Sequence, residues 1–159
     1  MDQAYLKRQT RNPDGRPLEV AWSDIGRFAE AIMLAQRELL ASAKGIRDEH
    51  GLGPRGTWIL GLIATGRIKT QADVVKRYQI GRSIIAEEVA LLAKAGLVDC
   101  TPVKSDRRQI ALTLTMMGAQ ANMRLGDAMA ARMGERLDKY TLADLLFCTG
   151  LLEDLARPS

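Results

Sequence analysis

Apolar residues recur along most of this chain at helical spacing, with one short interval where the period changes to that of a strand. Ile25, Phe28, Ile32, Ala35, Leu39, Ala43 and Ile46 form one stripe, which predicts a helix from Ser23 as N-cap to Gly51. Met33, Leu34 and Leu40 widen that stripe beyond one face, so the helix is expected to bury more than one side. A second helix is expected from Pro54, in its first turn, to Gly66, with Trp58, Ile59, Leu62 and Ile63 inward. Thr70 and Asp73 form a capping-box-like start for a short third helix, buried through Ala72, Val75 and Tyr78. Gly81 opens a fourth helix that stops at Gly96, with Ile85, Val89 and Leu92 facing the core. Residues 97–101 and 109–114 then read as strands, joined by a basic loop at residues 104–108, with Pro102 at a strand end. Thr115 caps a fifth helix running to about Leu137, and Thr141 starts a sixth that ends before Pro158. The polar lead, residues 1–22, carries the turn cluster Asn12-Pro13-Asp14-Gly15.

Helix, helix, short helix, helix, strand, basic loop, strand is the order of a winged helix-turn-helix. The expected fold is therefore mostly α with a small β-hairpin wing. In such a unit the third helix braces against the DNA backbone, the fourth enters the major groove, and the hairpin loop is the wing.

Charge sharpens this picture. The 159 residues carry 23 Lys+Arg and 19 Asp+Glu, a net of +4. Residues 67–108 hold nine basic and five acidic side chains, so this stretch accounts for all of the excess. A neutral frame around a basic middle suits a polyanionic partner. The outward face of the fourth helix is Gly81, Arg82, Ser83, Ala86 and Glu87, with Ile84 beside it. Arg82 suits guanine O6 and N7, Ser83 a phosphate or base edge, and Glu87 a cytosine amino group. Ile84 suits a thymine methyl or the core.

Catalytic and metal chemistry find little to rest on. No nucleophile–base pair or phosphate loop stands out, so no enzymatic activity is expected. One histidine and two distant cysteines fall short of a structural zinc site, and no cofactor is expected. Cys100 and Cys148 read as small core residues and cannot make a disulfide framework, which makes the cytoplasm the expected compartment. No apolar run approaches the roughly 20 residues of a membrane helix.

The run Gly96-Leu97-Val98-Asp99-Cys100, followed by Ser105-Asp106-Arg107-Arg108-Gln109-Ile110-Ala111-Leu112-Thr113-Leu114-Thr115, resembles the wing of the MarR family of bacterial transcription regulators. That wing reads Asp-x-Arg before a strand ending Leu-Thr. The order of helices is similar too, so the resemblance covers about residues 23–155. It implies one domain over residues 23–159, with a DNA-binding core at residues 53–115 and dimerisation helices at residues 23–50 and 116–157. It implies that Asp106 orients Arg108 into the minor groove, with Lys104 and Arg107 beside them. It also implies a homodimer on a pseudo-palindromic double-stranded operator, and repression released by a small aromatic acid or phenol. The ligand pocket is expected where the end of the first helix, the second helix and the start of the fifth converge. Its candidate residues are Trp58, His50 and Met116, with Trp22 and Arg27 reaching in from the partner.

The chain departs from the family in its reading helix. Members usually begin it with Ser and carry a basic or small polar residue one turn in, where this chain has Gly81 and Glu87. Glu87 and Glu88 support a competing reading, a winged-helix protein-interaction module with weak or no DNA binding. Some members sense oxidants through a thiol near the start of the first helix, and no cysteine lies there in this chain.

Overall fold

The computed structural model describes residues 22–156. In chain order the elements are α1 (Trp22–Ser42), α2 (Lys44–His50), α3 (Gly56–Ala64), α4 (Gln71–Tyr78), α5 (Arg82–Lys94), β1 (Val98–Val103), β2 (Asp106–Leu114), α6 (Met116–Leu137) and α7 (Leu142–Leu155). The mostly α chain with a hairpin wing is therefore the observed architecture. Internal contacts divide the chain into two units between Glu38 and Leu39. In the first unit the described residues, 22–38, are helical, and Ile25, Phe28, Ile32, Met33 and Leu34 are exposed rather than buried.

In the second unit, the single long helix expected up to Gly51 is interrupted at Ala43. The Ser42 hydroxyl donates to the Leu39 carbonyl at 2.7 Å, and the Arg47 guanidinium donates to the Leu40 carbonyl at 3.0 Å. Side chains thus take carbonyls at the end of α1, and α2 starts afresh after Ala43. Gly51, in the left-handed region at φ 63°, ends α2 as expected and donates its N–H to the Arg47 carbonyl. Pro54 lies in a turn rather than in the first turn of α3. The Gly56 N–H donates back to the Gly53 carbonyl, and the helix begins only there.

The core is built by Ile59, Leu60 and Leu62 of α3, Val74 of α4, Ile85, Val89 and Leu92 of α5, Leu97 and Val98 at the hairpin base, Leu112 of β2 and Ala121 of α6. The inward face expected of α5 is the observed one. In α4 it is Val74 that is buried, while Ala72 is exposed and Val75 and Tyr78 are half-buried. A smaller cluster of Ala43, Ile46 and Leu125, with Met129 against it, joins α2 to α6.

The hairpin is longer and its turn tighter than expected. β1 and β2 pair antiparallel from Val98↔Leu114 to Pro102↔Ile110, and the register then slips to Val103↔Asp106. Only Lys104 and Ser105 form the turn, so Asp106, Arg107 and Arg108 lie on β2, and Pro102 lies inside β1 rather than at its end. Lys69 and Thr70 lie along the other side of β2: the Leu112 N–H donates to the Lys69 carbonyl at 2.9 Å, and Thr70 bridges Ala111.

Both expected starts of α4 and α7 are complete capping boxes, and the Thr115 hydroxyl caps α6 by accepting from the Gly118 N–H. In α4, Asp73 Oδ2 accepts from the Lys69 and Thr70 N–H groups at 2.9 and 2.8 Å. Those backbone donors hold the Asp73 carboxyl below its ordinary value. A depressed folded-state pKa stabilises the fold above the unfolded value and ceases to as pH falls through the folded one. Asp73→Ala should cost about 1 kcal/mol at neutral pH. Its deficit against the unsubstituted chain should narrow below about pH 4, as followed by urea unfolding across pH.

Candidate nucleic-acid interface

Two short segments aim α5. Gln79, at φ 51°, closes α4 in the left-handed region, and Gly81 is the N-cap of α5 with no side-chain cap bond. Three residues, Gln79 to Gly81, therefore link the two helices, the tight connection a helix-turn-helix needs. Core burial of Ile85, Val89 and Leu92 then leaves Arg82, Ser83, Ile84, Ala86 and Glu87 exposed. The outward face is thus the one the pattern predicts, and Ile84 belongs to the surface rather than the core. Glu88 does not share that surface, being only 5% exposed.

On the wing, Lys104, Arg107 and Arg108 are exposed and Asp106 is half-buried. Asp106 does not hold the Arg108 guanidinium. Its Oδ1 accepts from the Arg108 backbone N–H at 3.0 Å, and its Oδ2 accepts from the Gln109 side-chain amide at 3.1 Å. The carboxylate is spent on shaping the strand just after the tight turn, because an aspartate oxygen readily reaches the backbone N–H two residues further on. Arg82, Lys104, Arg107 and Arg108 have no acidic partner among the described residues. Arg67, by contrast, approaches Glu153 at 3.5 Å, and Arg124 pairs with Glu49. Four unpaired cations on the reading helix and wing are free to meet phosphates or base edges.

Trp58 packs edge-on against Tyr78 of α4, with ring centroids 4.3 Å apart and planes at 75°. His50 is largely buried, its Nε2 lying 3.6 Å from Glu49 Oε1 without a hydrogen bond. Met116 is 81% exposed at the start of α6. Arg27 is exposed on α1, and the Trp22 side chain lies outside the described residues. A cavity of about 400 Å³ opens between α2 and α6, lined by Gly45, Ile46, Glu49, Arg124, Asp127 and Ala128, with Ser42 at its end. Arg124 grips Glu49 with both guanidinium nitrogens there, one at 2.8 Å, and holds that carboxyl below its usual value. Pattern alone could not assign this wall, because Arg124 and Glu49 lie 75 residues apart.

Both cysteines are free and exposed, not core residues. The hairpin extends past the core, so only Val98 at its base is buried on β1, and α7 buries no residue at all. Partial burial, and then the neighbouring Asp99, push the Cys100 thiol up, away from the reactive thiolate. Among the described residues no group of three metal-ligating side chains occurs, and no helix is long and apolar enough to cross a membrane.

No protein-family model matches the chain, and no curated protein matches it by sequence. Solved structures do match. NadR in complex with 4-hydroxyphenylacetate is 22% identical, with 91% of this chain and 99% of that one covered and a TM-score of 0.70. A MarR-family transcriptional regulator from Rhodococcus sp. RHA1 is 20% identical over 89% of this chain and 100% of that one, with a TM-score of 0.67. CouR from Rhodococcus jostii RHA1, bound to p-coumaroyl-CoA, is 21% identical over 89% and 98%, also with a TM-score of 0.67. The fold of this chain is that of the MarR-type winged helix-turn-helix regulators.

Proposed function

We propose that this chain is a sequence-specific, double-stranded-DNA-binding transcription regulator acting in the cytoplasm as a homodimer, and a repressor released by a small aromatic or phenolic ligand. The observation that carries this reading is the set of unpaired, exposed cations Arg82, Lys104, Arg107 and Arg108 on the reading helix and wing. Arg82, Ser83, Ile84 and Glu87 meet base edges in the major groove, while the wing lays Arg108 into the minor groove, where narrow A·T tracts concentrate negative potential. The competing reading, a protein-interaction module, drew on an acidic pair on the reading helix. The burial of Glu88 leaves only Glu87 to support it.

Residues 53–115 form the reading head in this proposal, and residues 23–50 and 116–157 the dimerisation region. Two heads related by a two-fold axis suit half-sites roughly 34 Å apart. Two of the similar structures hold 4-hydroxyphenylacetate and p-coumaroyl-CoA, and both compounds carry a phenol. That supports an aromatic effector for this chain. Such a ligand releases DNA by binding the DNA-incompetent spacing of the heads more tightly than the competent one.

A salt-dependent titration on the gene's own upstream DNA tests the proposal. Arg108→Ala and Arg82→Ala should each weaken specific binding by about 1–3 kcal/mol, and Arg82→Ala should also relax base choice. Lys104→Ala should weaken specific and random DNA alike and make the salt slope shallower by about one. Aromatic acids added to the same titration should release the operator. Unchanged operator affinity in both arginine variants overturns the docking.

A further inference from the structure

The face of α5 that enters the core is Ile85, Glu88, Val89 and Leu92, so a carboxylate occupies a place the helical period reserves for an apolar side chain. Burying a carboxylate is costly unless something receives it. Here the receiver is the start of α3. That helix lacks a cap of its own, since Arg55 at its N-cap supplies no side-chain bond and its first turn holds no acidic residue. Glu88, 33 residues further along the chain, fills the gap: its Oε1 accepts from the Arg55 N–H at 3.3 Å. Negative charge is favourable at this end of a helix.

Gly53 makes room for it. A Cβ at that position would lie 2.3 and 2.6 Å from the two carboxylate oxygens and 2.6 Å from the carboxylate carbon. Gly53 is not in the left-handed region, so its backbone does not require glycine. What requires the absence of a side chain is the carboxylate above it. The other oxygen, Oε2, is buried without a hydrogen-bond partner among the described residues, so a single hydrogen bond and a close backbone seat hold the group.

We propose that Glu88, seated on Gly53 and the Arg55 amide, is a positioning residue that fixes the roll of the reading helix, and hence sets base discrimination rather than general DNA affinity. The inference rests on the DNA-binding reading above. It follows from geometry: the same helix carries Glu88 on its inner face and Ser83, Ala86 and Glu87 on its outer one, so turning one turns the other. An apolar residue would bury the inner face with no directional bond. Glu88 ties it to one amide at the start of α3.

The test compares affinity for the upstream operator with affinity for random DNA of equal length, together with thermal unfolding, in full-length Glu88→Ala, Glu88→Gln, Gly53→Ala and the Gly53→Ala/Glu88→Ala double variant. Glu88→Ala and Gly53→Ala should each lower the operator-to-random ratio about tenfold, the scale of one well-made base contact. Gly53→Ala does so with Glu88 still present, because its methyl evicts the carboxylate. Glu88→Gln keeps an acceptor for the Arg55 amide and should stay within about threefold of the unsubstituted chain, well under the scale of one base contact. The double variant should lose no more than Glu88→Ala alone, because both changes remove one contact. Multiplying losses in the double variant, or equal weakening on both DNAs with the ratio unchanged, overturns the proposal. An unsubstituted chain that does not discriminate between the DNAs overturns the DNA-binding reading instead. The seat is then judged by unfolding alone, where non-additive destabilisation by Gly53→Ala and Glu88→Ala supports it and additive destabilisation overturns it.

Discussion

Gly118→Ala should destabilise the fold by about 3 kcal/mol, the upper end of what overpacking costs. Gly118 sits in the first turn of α6 against the base of the wing. A Cβ there would lie 1.9 Å from the Leu97 carbonyl oxygen and 2.9 Å from its carbon. Those are backbone atoms, which cannot rotate aside. The same oxygen accepts from the Thr115 N–H at 3.1 Å, and the Thr115 hydroxyl donates to the Gly96 carbonyl at 2.7 Å while accepting from the Gly118 N–H at 2.9 Å. Relief of the clash therefore shifts α6 away from the hairpin and strains all three bonds. For a chain of this length the change should appear as a fall of about 6–12 °C in Tm at fixed protein concentration. Gly126→Ala is the control. It lies in the same helix with no atom within 4 Å of its added Cβ, and should be neutral or stabilising by up to about 1 kcal/mol. Equal melting of the two variants would contradict the packing described for Gly118.

Leu146→Lys combined with Phe147→Glu should convert the proposed dimer to monomers. α7 is apolar around most of its circumference yet buries nothing in the protomer, and Leu142, Leu146, Phe147 and Leu155 are each more than 60% exposed. A capped helix with such a surface is the kind that a second copy covers. Each large apolar side chain so covered contributes about 1.5–3 kcal/mol. A two-fold interface counts each substitution twice, giving a loss of at least about 6 kcal/mol, or more than a ten-thousandfold weaker dimer. Because α7 contributes no residue to the core of the reading head, the substituted chain should still fold. Operator binding should fall to that of one head. Sedimentation velocity reads the mass directly, and an unchanged mass in the variant would place the dimer contacts elsewhere or remove them.

Helix positions and caps were legible because their causes are local. Thr70 with Asp73, Thr115, and Thr141 with Asp144 each satisfy backbone groups within a few residues, so the sequence shows both partners at once. The inner face of α5 was equally legible through Ile85, Val89 and Leu92. Glu88 lies on that same face by period, which was the available signal. Its charge argued for solvent, and what overrode the charge is Gly53, far away in the chain. The Asp106–Arg108 pair was legible as a motif but not as a geometry: the expected contact was between side chains, whereas the Asp106 carboxylate takes the backbone amide two residues on. The break at Ala43 depends on whether Ser42 and Arg47 bond carbonyls behind them, a competition that apolar spacing does not record. The edge-on contact of Trp58 with Tyr78 joins residues twenty positions apart, which local spacing does not record.

Pro102 gives the wing one further property, which concerns neighbours rather than DNA. Among the described residues, β2 has company on both sides, β1 on one and Lys69–Thr70 on the other, while nothing pairs with the outer edge of β1. An open edge is a template onto which any extended segment can add by backbone pairing. Pro102 brings no N–H to that edge, and the register slip beside it, between Pro102 and Val103, bends the line of the remaining groups. Wings crowded together at high concentration should thereby be kept from stitching into a shared sheet. The hairpin can extend beyond the core without offering a clean template for further strands.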